Sequence, residues 1–199
     1  MTSRLRMGRR PMVVIYCLAM GCASHAVPSG PDLAIDPRDF YPLHEGNAWS
    51  YDVDTGEDST TLAVTHVDAF DGRVAEVRTG KAVVRYEVGA KGIRIPSEQA
   101  WLLRAPLREG ATWVSRGHRT AKVMSTRARA KTSAGDFDGC IEIVETGGEL
   151  ELQITTVYCP GVGPVSVQST MRSKVSERTL TVSARLRGYE VTPLSDPAR

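Results

Sequence analysis

Apolar and polar positions alternate with a period of two along much of the chain. In VVRYEV, residues 83–88, Val84, Tyr86 and Val88 share one face. In ELELQIT, residues 149–155, Leu150, Leu152 and Ile154 alternate with Glu149, Glu151 and Gln153. The same habit returns in TLTVSARLRG, residues 179–188, where Leu180, Val182, Ala184 and Leu186 fall on one side. Successive side chains of a strand point to opposite faces, so this pattern predicts strands with one wet face, hence antiparallel sheet. Past the N-terminal leader, no segment carries a sustained apolar stripe of helical period with caps. The expectation is an all-β fold: an antiparallel meander of about ten strands forming a strongly curved sheet or open half-barrel, with a two-sheet β-sandwich as the alternative.

The pattern also repeats on a larger scale. YPLHEGNAW, residues 41–49, is echoed by APLREGATW, residues 105–113. FDGRVAEVRTG, residues 70–80, is echoed by FDGCIEIVETG, residues 137–147, and YEVGAKGIRI from Tyr86 more weakly by YCPGVGPVSV from Tyr158. Three echoes in the same order predict a tandem duplication: repeat one over residues 41–104, repeat two over 105–170, extra C-terminal strands over 171–192, and a disordered tail over 193–199. The anchors are Trp49 and Trp113, Phe70 and Phe137, and Tyr86 and Tyr158. In each unit the glycine provides a turn and the tryptophan starts a strand pinned to the core. Phe-Asp-Gly reads as a turn that launches the next strand.

The N-terminus changes the picture. Four arginines without an acid in MTSRLRMGRR precede the uncharged run PMVVIYCLAMG, residues 11–21. A basic region before a short apolar run reads as a secretory signal peptide over residues 1–21, and it is shorter than the ~20 residues a membrane span needs. LAMGC, ending at Cys22, is similar to a bacterial lipobox, which makes Cys22 the lipidated residue and residues 22–40 a Pro-rich tether. Ordinary cleavage after Ala26, discarding Cys22, is the alternative. Of the two remaining cysteines, Cys140 and Cys159 form one disulfide or stay as separate thiols. A hairpin centred on Gly147–Gly148 would set residue 140 opposite about 155, leaving Cys159 several residues out of register.

Charge excludes one class of partner. The chain has 25 basic and 23 acidic residues, and removing the four leader arginines leaves 21 against 23. No concentrated basic patch points to nucleic acid. TRARAK carries Arg127, Arg129 and Lys131 between alanines: a possible basic contact face for lipid phosphates or a wall polymer, or simply a solvated strand face. DVDTGED, residues 52–58, lacks the glycine and acid an EF-hand places at its sixth and twelfth positions, and reads as a polar hairpin turn. The four histidines are scattered and there is no G-x-S-x-G elbow, so no catalytic residue, metal site or cofactor is expected.

Taken together, YPL..G..W.Y from Tyr41, PL..G..W from Pro106, SAGDFDGC from Ser133 and YCPGVGPV from Tyr158 resemble a group of bacterial exported lipoproteins sometimes called TapB-like. The resemblance covers most of residues 41–167, implies a curved-sheet envelope protein, and transfers no catalytic residue. The resulting expectation is a non-enzymatic domain anchored to the membrane by its N-terminal lipid, in the outer membrane facing the periplasm or cell surface. A soluble periplasmic or secreted protein is the alternative location. It would bind an apolar ligand or an envelope protein on its sheet. A structural or assembly component with no small ligand is the second reading, and an envelope hydrolase the last.

Overall fold

Twelve strands follow one another around a single antiparallel sheet in a computed structural model that describes residues 35–56, 60–147, 152–172 and 179–192. The first six are β1 (Ala48–Asp54), β2 (Thr60–Phe70), β3 (Val74–Thr79), β4 (Ala82–Gly89), β5 (Gly92–Ile95) and β6 (Ala100–Arg104). The second six are β7 (Thr112–Val114), β8 (Thr120–Thr132), β9 (Gly135–Gly147), β10 (Leu152–Cys159), β11 (Gly163–Arg172) and β12 (Thr179–Glu190). The spatial order β6-β5-β4-β3-β2-β1-β12-β11-β10-β9-β8-β7 is two six-stranded meanders joined through β1 and β12. The expected all-β curved sheet is therefore present, with twelve strands rather than about ten. The described residues contain no α-helix, only three short 3-10 turns. The signal peptide, Cys22, residues 22–34 of the tether and the tail at 193–199 lie outside the described residues.

The sheet curls until its two edges, β6 and β7, come together. The Trp113 indole N–H donates to the Trp101 carbonyl at 3.2 Å, and Arg116 pairs with Glu98 at 2.8 Å, so side chains bridge this seam. The result is a nearly closed, barrel-like sheet with an inner and an outer face.

The two meanders open on the same turn. Asn47 N–H donates to His44 O at 3.1 Å and Ala111 N–H to Arg108 O at 3.0 Å. Gly46 N–H reaches Val67 O, and Gly110 N–H reaches Val123 O; Val67 and Val123 in turn donate to Asn47 O and Ala111 O. Gly46 and Gly110 have φ of +86° and +82°, a region that favours glycine. Trp49 and Trp113 follow, 1% and 4% exposed. The Phe-Asp-Gly phrases diverge. Asp71 and Gly72 form the β2–β3 turn, with the Asp71 carboxylate accepting the N–H groups of Val74 and Arg73. In the second copy the turn lies earlier, at residues 133–134, and Phe137–Gly139 sits inside β9. Register there jumps between Ala128–Cys140 and Ala130–Phe137, so Phe-Asp-Gly supplies a β-bulge instead of a turn.

Pro37–Phe40, expected within the tether, form a 3-10 turn with Pro37 and Phe40 buried, so the folded part begins before Tyr41. Gly161 N–H donates to Asp39 O at 2.7 Å, and this segment approaches both β5 and β11, which plugs one end of the sheet. Asn47, buried, ties the chain's arrival to its departure: its amide donates to Pro42 O and its carbonyl oxygen accepts from Thr192 N–H.

Candidate functional site

Strand alternation fixes which side chains face inward. At the plugged end the inner face is packed solid, with Trp49, Ile93, Ile95, Leu103, Ile141, Val165 and Leu186 at or below 1% exposure. Tyr41 lies among Trp49, Tyr86 and Tyr158, with ring centroids at 5.3, 6.2 and 6.4 Å. Burial pushes the Tyr41 and Tyr158 phenols well above the usual tyrosine range, because the phenolate would lose its hydration. The repeat anchors Trp49, Trp113, Tyr86 and Tyr158 are thus core residues, while Phe70 and Phe137 are partly buried and pack against that core.

Further along the same strands the inner face opens. Leu180 and Val182 share their face with buried Leu186, and Leu152 and Ile154 share theirs with buried Thr156 and Tyr158. Register sets Leu152 opposite Met171 and Met171 opposite Leu180, a three-strand apolar row. The neighbouring row runs Glu145, Ile154, Ser169, Val182. All of the apolar residues in these rows are partly or largely exposed, Leu180 to 51%. Among the described residues the sheet therefore presents inward-facing apolar side chains that its core leaves partly or largely exposed.

Glu145 stands at the margin of that surface, 7% exposed. Its Oε2 accepts from the Ser115 hydroxyl at 2.8 Å and from Arg119 Nε at 3.1 Å, with Arg119 Nη2 at 3.0 Å. Ser115 N–H also donates to Arg119 O at 2.8 Å. A buried carboxylate is tolerated when it is paired and hydrogen-bonded in this way. The cluster locks the β7–β8 connection onto β9. Sequence reading missed it, because residues 30 positions apart leave no spacing signal.

Cys140 and Cys159 are bridged, with Cα atoms 4.2 Å apart. The offset expected from the glycine pair does not occur. Gly147 pairs with Leu152 and the register runs unshifted to Ile141 opposite Tyr158, which brings the two cysteines opposite each other. Both alternate with inward-facing Ile141 and Tyr158, which places the bridge on the outer face, yet both are buried. Their cover is an arm, the end of the β8–β9 hairpin, folded back over β10–β12. At its tip Ala134 N–H donates to Leu186 O at 3.3 Å and Ser133 lies against Asp52, while Phe137 packs beside Tyr189 at 6.2 Å.

This arm explains the Arg-Ala alternation. Ala128 and Ala130 pack against the core, whereas Arg129 and Lys131 point outward and are highly exposed. Arg129 pairs with Asp138 at 2.8 Å and Lys131 approaches Asp136 at 4.0 Å, so acids across the strand balance the cations. Arg127 is also exposed. In DVDTGED, Glu57 and Asp58 lie outside the described residues, and Gly56 N–H donates to the Asp54 carboxylate at 2.8 Å. Among the described residues no three His, Cys, Asp or Glu side chains converge as metal ligands would. His44 rests edge-on against Phe70 at 5.5 Å.

No protein-family profile matches the chain, and no curated protein matches it. Among solved structures it is similar to a candidate exported protein with a YmcC-like fold from Bacteroides fragilis, at 14% identity and a TM-score of 0.46, over 76% of this chain and 98% of that one.

Proposed function

We propose that this protein is a non-enzymatic, exported β domain of the cell envelope that binds an apolar ligand, or an apolar segment of a partner, along the open end of its inner face. One observation carries the reading: Leu152 and Met171, partly exposed, and Leu180, exposed, form an apolar row where the same strands elsewhere bury their inward-facing residues. Covering such a row is favourable by about 25 cal/mol per Å2 of apolar surface. Export rests on the basic and apolar leader, and on the Cys140–Cys159 bridge, a bond typical of oxidising compartments. Lipid on Cys22 would hold the domain at the membrane.

Titration with a dansyl-labelled undecanoic acid tests the reading. Binding should shift the dansyl emission to the blue, and Leu180→Lys should weaken it about tenfold or more while leaving the half-exposed position's fold intact. An unshifted dansyl spectrum, or equal affinity in Leu180→Lys, would contradict it.

A further inference from the structure

Beside the seam, on the outer face, strands β4, β5 and β6 carry a groove of about 500 Å3. That volume is within the range of small-molecule sites. Register sets Glu87 opposite Arg94 and Arg94 opposite Trp101, so the three form one outward row. The Glu87 carboxylate lies 3.6 Å from Arg94 and 3.9 Å from Arg73. Lys91 stands on the β4–β5 turn, and Gln99, the left-handed cap that closes the 3-10 turn Pro96–Glu98, also lines the groove. Gly89, Ala90 and Gly92 complete the lining at the β4–β5 turn. Gly92 admits no side chain, since a Cβ there would meet Leu103 O at 2.1 Å.

Trp101 differs from the other two tryptophans in being only partly buried. The Arg104 guanidinium covers its ring, 5.7 Å from the centroid, and Arg104 does not line the groove. The indole is thus held in place by a group outside the groove while it forms part of the wall.

We propose that this groove binds an anionic saccharide. A sugar ring has an apolar C–H face suited to an indole and a hydroxyl edge suited to planar side chains such as Gln99, Glu87 and Arg94. The lining carries three cations, Arg73, Lys91 and Arg94, against one carboxylate, and that surplus selects a ligand with negative charge, as on a uronate ring. A solvated ion-pair network accounts for Arg73, Glu87 and Arg94 alone; it does not explain the partly exposed indole beside them. This inference is independent of the inner-face reading.

The test is intrinsic tryptophan fluorescence, titrated with trigalacturonate and with a glucuronate-containing hyaluronan tetrasaccharide, against neutral maltotriose and inorganic sulfate. At least one uronate oligosaccharide should saturate the signal, with maltotriose and sulfate weaker by about tenfold or more. Trp101→Ala should abolish uronate binding, read by calorimetry. Lys91→Gln, on a turn away from the core, should weaken it about tenfold with the wild-type melting temperature retained. No saturable response up to about 10 mM, equal binding of maltotriose or sulfate, or undiminished binding in both variants would overturn the proposal.

Discussion

Gly92 and the inward tyrosines show how tightly single positions are held at the plugged end. At Gly92, φ is +128° and the β6 backbone occupies the space a side chain would need. Gly92→Ala should therefore cost about 2 kcal/mol or more, seen as a lower denaturant midpoint with an unchanged m-value. The tyrosines give a pH signature. Tyr41 and Tyr158 have folded-state pKa values raised well above the unfolded value by burial, so above about pH 10 the unfolded chain loses protons that the folded chain keeps. Their contribution is complete below that pH and falls as pH rises. Unfolding followed by circular dichroism should accordingly set in above about pH 10, and tyrosinate absorbance from these two rings should appear with unfolding and not before it.

At the scale of elements, the bridge at the root of the arm is the most informative joint. It links β9 to β10 where β9 leaves the shared sheet, and the sequence separation of 19 residues corresponds to about 3 kcal/mol in the loop-entropy account. Cys140→Ser with Cys159→Ser should lower stability by about that amount and speed amide exchange at Ala134, whose N–H is held by Leu186 O. Strands were legible in the sequence because period-two alternation survives wherever one face is wet, as in Thr179–Glu190. The arm was not legible. Its fold-back depends on register shifts in β8–β9, and those bulges carry no distinctive composition beyond Gly139. Arg-Ala-Arg-Ala-Lys was the available hint, since small residues at alternate positions let one layer lie on another. The cysteine register was misjudged for a related reason: Gly147–Gly148 looks like the middle of a turn, whereas Gly147 is the last paired residue of β9. Ser115 and Arg119 lie in the β7–β8 connection and Glu145 in β9, far along the chain, so only the fold brings them together.

At the scale of the whole sheet, the two meanders make unequal junctions. Six strands follow the first YPL-type turn and six follow the second, so the β6–β7 seam is the counterpart of the β12–β1 junction. β1 and β12 run long enough to pair over seven positions, while β6 and β7 have five and three residues and are joined by the short segment at 105–111. One junction is a backbone ladder; the other is bridged by an indole and an ion pair. The inner face is likewise uneven, filled where the segment from Pro37 to Leu43 enters and apolar but uncovered along β10, β11 and β12. Methyl chemical-shift mapping during titration with a medium-chain fatty acid tests that asymmetry most directly. The account predicts shifts at Leu152, Ile154, Leu180 and Val182, with Ile93, Ile95 and Ile141 in the packed end unmoved. Shifts confined to the outward Leu62 and Val64, or none at saturating ligand, would contradict it.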